Sequence, residues 1–266
     1  LIPVDAQGRL DPSAAQRLMG PDVALVSVMA ANNETGVLMP TAAMAELAHA
    51  CGAWLQVDAT QMAGRLPVDF ARSGADLMSV SAHKIGGPKG VGALLVRRGL
   101  SLAPLLPGRQ ERQRRGGTEN LPAIAGFAAA CDHAARTLQA SGERTAALRD
   151  RLEAGLLAAL PGVHIYGQAA ARLPNTTCLR VGEMDADLVL SRLERAGVLA
   201  SSGAACSAAG TQPSHVLLAM GESAGRAKAA VRLSLGTDTT AEEIEIARAA
   251  IVRSLAPLLQ DMAEAA

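Results

Sequence analysis

Trp54-Leu-Gln-Val57-Asp58-Ala-Thr-Gln61 and Leu77-Met-Ser-Val80-Ser81-Ala-His83-Lys84 are the two stretches that decide how this 266-residue chain is read. Each is a short apolar run, too brief for a helix, that stops abruptly at groups able to do chemistry. Such runs, bounded by turn residues, predict buried strands. Working outward, Val23–Met29 is a similar run between Pro21-Asp22 and Asn32-Asn33. From Thr41 to Cys51 the apolar residues Met44, Leu47, Ala48 and Cys51 recur at helical spacing, with Pro40 and Thr41 as the start and Gly52 as the stop. A fourth strand, Val91–Val96, follows the turn-rich Gly86-Gly-Pro-Lys-Gly90. Strands linked this closely around a helix predict an α/β layer built on a mostly parallel sheet.

The second half reads differently. Leu121 to Leu160 is helical almost throughout, with a break expected at Ser141-Gly142 and an end at Pro161-Gly162. Beyond it, Val163–Tyr166, Thr177–Val181, Val198–Ser201 and Ala230–Leu235 are strand candidates among helices at Ala186–Ala196 and Thr240–Ala263. Thr240 with Glu243 three residues on is a capping box. A smaller α+β domain is therefore expected to begin inside the long helical region, dividing the chain into 1–137 and 138–266.

Composition narrows the function. The chain is 49% hydrophobic and 19% charged, enough for a sizeable core and unlike a disordered chain. Lys+Arg and Asp+Glu are equal at 25 each, so no basic surplus favours a nucleic-acid partner. No apolar run reaches the ~18 residues of a membrane helix, since Asp132 interrupts the longest Ala-rich stretch. The opening Leu1-Ile-Pro-Val-Asp5 does not read as a secretory leader, and a start at Leu1 reads as an entry into a longer sequence. Cysteines at 51, 131, 178 and 206 show neither C-x-x-C spacing nor a metal cluster, so no disulfide framework is expected and a cytoplasmic location is the simplest assumption. Only Lys84, Lys89 and Lys228 are lysines. Arginine replaces lysine as a charge but not as an amine nucleophile.

Ligands of such sheets sit at the carboxyl edge of the strands. There the sequence offers Asn32-Asn33-Glu34-Thr35-Gly36, Asp58-Ala-Thr-Gln61 and Ser81-Ala-His83-Lys84. An acid after one strand and a lysine after the next is what pyridoxal phosphate requires: a carboxylate to keep the pyridinium nitrogen protonated and an amine to reach the aldehyde. Gln61 could donate to the ring hydroxyl, and Ser81 and His83 could bind phosphate. Taken singly, Asp58 could be a helix cap, His83 a core histidine and Asn33 a turn residue. Their joint occurrence at successive strand ends favours the cofactor.

These segments, with Gly87-Pro-Lys-Gly90, Gly117-Thr-Glu-Asn120, Ser201-Ser-Gly-Ala-Ala-Cys206, Pro213-Ser-His-Val216 and Val231-Arg-Leu-Ser-Leu-Gly236, resemble the cysteine desulfurases of the NifS/IscS type. The resemblance covers essentially the whole chain. It implies a fold-type I pyridoxal phosphate transferase: 1–137 as the C-terminal part of the large cofactor domain and 138–266 as the small α+β domain carrying the cysteine segment. Lys84 would hold the cofactor and then act as the proton-transfer base. Asp58 would pair with the ring nitrogen and Gln61 with the phenolic oxygen. Ser81 and His83 would anchor the phosphate, helped by Thr118 from the other subunit of a homodimer. Asn33, also placed beside the cofactor, and Arg232 would hold the carboxylate of L-cysteine. Cys206 would take the substrate's sulfur as a persulfide, leave alanine, and pass the sulfur to an acceptor or iron–sulfur scaffold protein. No intrinsic metal is implied, with Cys206 a candidate transient ligand to an iron–sulfur cluster.

Cys206 also makes sense from its neighbours. Ser201–Gly210 is a run of small residues, suited to a mobile loop that carries a thiol to an acceptor. Cys51, Cys131 and Cys178 read instead as small buried cysteines in an Ala-rich core. The cluster Arg109–Arg115 reads as a solvated or inter-subunit loop before Thr118.

The pattern departs from the family in places. The glycine-rich run before Gln110-Glu-Arg is here Pro107-Gly108-Arg109, and Thr237 stands where arginine is usual. The family's upstream phosphate loop, its helix and its ring-stacking histidine have no counterpart, which would leave sheet edges and apolar faces uncovered. Two alternatives accordingly stand beside the desulfurase. One is a truncated, non-catalytic remnant that dimerises or binds a sulfur acceptor; the other is a related enzyme such as a selenocysteine lyase or an aminotransferase.

Overall fold

A computed structural model describes residues 1–203 and 212–264 of the chain, with side chains as far as Gln260. It divides into two compact units: Leu1–Ala14, Ala31–Met39 and Gln139–Ala266 form one, and Ala15–Ala30 with Pro40–Leu138 the other.

The second of these contains a four-stranded sheet in chain order, β1 (Leu25–Met29), β2 (Trp54–Asp58), β3 (Leu77–Ser81) and β4 (Gly92–Val96). The first three are parallel and β4 returns antiparallel to β3. Val26, Val28, Leu55, Val57, Leu77 and Met78 fill its interior. Helix α1 (Pro12–Leu18) precedes β1, and α2 (Thr41–Ala50) makes the crossover to β2, burying Met44, Ala45 and Ala48. Gly52, at φ +81, ends α2 as expected of a C-terminal glycine. Asp76, fully buried before β3, ties these pieces together. It accepts from the Leu55 amide at 2.7 Å and meets His49 Nε2 at 2.9 Å. Arg97 lies 2.7 Å from its other oxygen as an ion pair, off the angle of a hydrogen bond. Both edges of the sheet keep exposed apolar side chains: Leu25 and Met29 on β1, Leu94 on β4. The short α3 (Gln110–Gln113) is hardly a helix, because Glu111 and Arg112 have left-handed φ angles.

The long α4 (Leu121–Ala159) runs through 39 residues without the break expected at Ser141-Gly142. The Thr145 hydroxyl donates back to the Ser141 and Gly142 carbonyls, at 2.7 and 3.2 Å. A single glycine costs a helix only about 1 kcal/mol, which local bonds and packing on both sides outweigh. Gly126 is required for close approach: a Cβ there would meet Pro88 Cγ at 2.6 Å. Cys131, expected in a core, is exposed. It falls between the half-buried positions Phe127, Ala130 and Ala134, off the stripe with which this part of α4 packs. Cys51 is half-buried and Cys178 buried.

The other unit has an antiparallel sheet in the order β5 (Val163–Ile165), β6 (Thr176–Val181), β8 (Val231–Ser234), β7 (Ser201–Ser202). The strand expected at Val198–Ser201 forms only at its end, since the apolar Leu199 is 83% exposed and has no sheet face to cover. Helices α5 (Ala186–Arg195), α6 (His215–Ala219), α7 (Ala224–Lys228) and α8 (Ala241–Glu264) complete it. The Thr240–Glu243 capping box forms in both directions, at 2.8 and 3.2 Å. Leu148, Leu152 and Leu156 of α4, with Leu160 just past its end, pack with Leu179, Val189, Leu233, Ile251 and Leu255 as the core. Beside it, Arg172 and Glu153 form a two-pronged ion pair at 2.8 Å with side chains only 4% and 5% exposed. Removing one partner of such a pair strands a buried charge. Glu153→Ala should therefore lower the unfolding free energy by about 3–5 kcal/mol in urea denaturation, well beyond the effect of Glu242→Ala at an exposed position.

Candidate active site

Parallel strands open into their connections at the same edge, and here that edge gathers the polar residues singled out from sequence. Asp58 ends β2 and lies level with Ser79 of β3, two residues before Ser81 ends that strand. The Asp58 carboxylate is exposed and one oxygen accepts the Thr60 amide at 2.9 Å, which shapes the turn carrying Gln61. After β3 the chain tightens into a 3-10 turn, Ala82–Ile85, closed by Gly86 at φ +84. Ser81 Oγ and His83 Nδ1 are 2.8 Å apart. His83 is exposed, which removes its core reading. Lys84 is half-buried, and its carbonyl accepts from Arg65 at 3.0 Å. Burial holds the Arg65 guanidinium below its ordinary pKa. Among the described residues the Lys84 amine has no hydrogen bond or ion pair, so the backbone of Lys84 is held while its amine stays available. Thr118, exposed, makes no hydrogen bond to Ser81 or His83 among the described residues.

Asn33 and Arg232 belong to the other unit. Asn33 sits in a turn built by Asn32, whose side-chain oxygen accepts the amides of Glu34 and Thr35, each at 2.9 Å. Gly36 closes this turn at φ +76, and its amide returns to the Asn32 carbonyl at 3.0 Å. Arg232 on β8 donates from one terminal nitrogen to the Asn33 carbonyl at 2.7 Å, while its buried Nε has no hydrogen-bond partner among the described residues. A guanidinium with an unused inner donor suits a carboxylate ligand.

Two further residues of this cluster escaped the reading of the sequence. Glu34 is 3% exposed, and Ser214 Oγ donates to it at 2.5 Å. They are 180 positions apart, and nothing local in either motif signals that they meet. Burial pushes the Glu34 carboxyl above its ordinary value, against the opposing effects of Ser214, His215 and Arg232. Cys178 on β6, opposite Arg232, is fully buried, and its thiol is pushed up to about 12 by burial and then by the Glu34 charge. Cys206 lies outside the described residues.

The chemistry on offer is thus a carboxylate, an amide, a hydroxyl–imidazole pair and an amine at one sheet edge, and separately an arginine beside a carbonyl-rich turn. The aminotransferase class-V family model matches residues 1–246. A cysteine desulfurase of Cereibacter sphaeroides is 45% identical over 247 residues, 92% of this chain and 62% of its own length. The cysteine desulfurase NifS of Azotobacter vinelandii is 41% identical over 262 residues, 98% of this chain and 64% of its own. A solved NifS-like protein from Rickettsia africae superposes with a TM-score of 0.88 at 32% identity, covering 96% of this chain and 69% of that one. The chain spans less than two thirds of the length of these two curated relatives.

Two expectations follow from the buried groups. In the folded protein Cys178 should resist iodoacetamide at about pH 8, because the thiolate is the reactive form, whereas the exposed Cys131 should react; unfolding should release Cys178. Glu34 has a folded pKa above that of the unfolded chain, so folding favours its protonated form. Its contribution is present at low pH and lost as pH rises from its ordinary 4.5 through the raised value. The stability of the wild type relative to Glu34→Gln should therefore fall as pH rises above about 4.5, followed by urea midpoints at each pH.

Proposed function

The chain belongs to the aminotransferase class-V family, and from that premise we propose that it acts in a pyridoxal phosphate-dependent cysteine desulfurase, taking sulfur from L-cysteine and leaving L-alanine. The observation that carries this reading is the edge where β2 and β3 finish within two residues of each other, with Asp58 on one strand and Lys84 just past the other. The donors found there match the cofactor's groups one for one: an exposed carboxylate for the ring nitrogen, an amide for the phenolic oxygen, a paired hydroxyl and imidazole for the phosphate, and an amine for the aldehyde. When bound, pyridoxal phosphate supplies a carbonyl that condenses with amines and a ring that withdraws electrons from the substrate's α-carbon.

The residues of the chain do the rest. Asp58 keeps the ring nitrogen protonated, Gln61 donates to the phenolic oxygen, and Ser81, His83 and Thr118 hold the phosphate. Lys84 is the covalent attachment point and afterwards moves the proton at the α-carbon. Asn33 and Arg232 hold the substrate carboxylate. The Cys206 thiolate attacks the substrate's sulfur: a sulfur–sulfur bond forms, the carbon–sulfur bond breaks, and the electron pair left on carbon is protonated to give alanine. The persulfide on Cys206 then passes to an acceptor such as an iron–sulfur scaffold protein. A cytoplasmic homodimer is part of the same proposal. The exposed Leu105 and Leu106 in the segment before Thr118 support a second subunit on that side.

Lys84→Arg and Cys206→Ser test the assignment in the full-length protein. Lys84→Arg keeps the charge but lacks a nucleophilic amine. It should abolish borohydride fixation of pyridoxal phosphate and cut alanine release by about 10²-fold or more. Cys206→Ser should keep the cofactor fixed yet lose sulfur transfer from cysteine. Undiminished transfer in Cys206→Ser would point instead to another class-V activity.

A further inference from the structure

Resting on the desulfurase reading, we propose that Arg65 is a positioning residue for the Lys84 amine: it ties the segment that leaves β2 to the turn that follows β3, holding Lys84 at a fixed separation from Asp58 and Gln61.

Pyridoxal phosphate has a rigid ring, so its nitrogen, phenolic oxygen and aldehyde stand at set distances from one another. A site that meets all three must hold its own groups to a matching spacing. The sheet alone does this only as far as its ladder runs. The pairing of β2 with β3 ends at Asp58 and Ser79, and the Ala59 amide adds one last bond to the Ser79 carbonyl at 3.0 Å. Gln61 and Lys84 both lie beyond that point.

Two contacts rejoin the segments that carry them. Arg65 Nη1 donates to the Lys84 carbonyl at 3.0 Å, across 19 positions of the chain. The amides of Gly86 and Gly87 both turn back to the Ala82 carbonyl, so neither takes up the Lys84 oxygen. The guanidinium supplies that donor from outside the turn. The second contact is at Gly64, where φ is +73 and a Cβ would come within 2.7 Å of Ile85 Cγ2. The segment thus packs against the residue next to Lys84 at a distance that glycine allows.

Arg65 can act as a tie because its own segment is braced. The Met62 and Ala63 amides return to the Ala59 carbonyl at 3.0 and 2.9 Å, and those of Arg65 and Leu66 to the Met62 carbonyl at 3.0 and 3.1 Å. Residues 59–66 therefore form successive turns that start at the end of β2 and include Gln61.

The choice of residue points the same way. Arg65 is half-buried and, among the described residues, in no ion pair, and burial holds its guanidinium below its ordinary pKa. An aliphatic side chain would fill that space without desolvating a charge. What the guanidinium adds is a charge-assisted bond to the Lys84 carbonyl.

Two aldehydes separate positioning from general damage in the full-length, cofactor-stripped protein. Formaldehyde with cyanoborohydride methylates any accessible amine, whereas pyridoxal phosphate fixed by borohydride also draws on the groups at the end of β2. In Arg65→Met, which keeps the stem but has no donor, the pyridoxal phosphate concentration for half-maximal fixation at Lys84 should rise by about 10-fold or more. Methylation of Lys84, read peptide by peptide beside the exposed Lys89 and Lys228, should be no slower than in wild type. Arg65→Lys, with a charged donor on a similar stem, should recover most of the fixation. Arg72→Met, which removes an exposed arginine of the same unit, should match wild type. Wild-type fixation in Arg65→Met would overturn the inference. So would a parallel loss of fixation and methylation, or a loss that Arg65→Lys fails to restore, since both indicate general damage. If Arg65→Met does not fold, Arg65→Gln, whose shorter side chain stops short of the carbonyl, is read in its place. A wild type that fixes pyridoxal phosphate at Lys84 but releases no alanine from cysteine would overturn the desulfurase reading alone, with the tie still decided by fixation. No fixation at wild-type Lys84 would overturn both.

Discussion

Parallel strands cannot be joined by a tight turn, so each must leave the sheet at its carboxyl end and return by a longer route. That constraint makes the edge where β2 and β3 finish the place where side chains can gather. Level pairing of Asp58 with Ser79 sets the relative height of the two exits, and the 3-10 turn after β3 then brings Ser81, His83 and Lys84 out within four residues. A one-residue slip between these strands would turn every side chain to the other face. Leu55 and Val57, the alternating buried positions of β2, resist such a slip because each would have to leave the core. The chemistry at the edge is therefore held in place by apolar packing below it.

The family proposed from the quoted motifs is the one to which the comparisons lead, and the strand ends were readable because their chemistry is local. Apolar runs that stop at Asp58 and Ser81 declare both the strand and its exit in a few residues. The reading failed where tertiary packing outweighs local preference. Ser141-Gly142 has the composition of a helix break, yet α4 runs through it because Thr145 bonds back and the apolar face continues on both sides. Cys131 was misplaced for a related reason: Ala-rich composition suggested burial, while helical phase turned the thiol outward.

The buried polar groups were the least legible. Asp76 was not singled out from the sequence, yet it gathers the Leu55 amide, His49 and Arg97. Glu34 looked like one polar residue among several in a turn, and its partner Ser214 is far away in sequence. A pattern within one segment cannot show an interaction whose halves lie in two. These are also the positions where burial shifts proton affinity most clearly, in Glu34 and the neighbouring Cys178.

The two units pose different problems during synthesis. In the sheet β1–β4 every strand pairs with its neighbour in the chain, so each can join as soon as it emerges. The Asn32–Gly36 turn is made just as early, yet its partners Ser214 and Arg232 follow only 180 to 199 residues later. Closing so long a loop is slow relative to local pairing. The α/β sheet can thus be assembled on the ribosome while the antiparallel sheet is still waiting for β8. The distant partners of this early turn, Ser214 and Arg232, are thus among the later of the described residues to find their places.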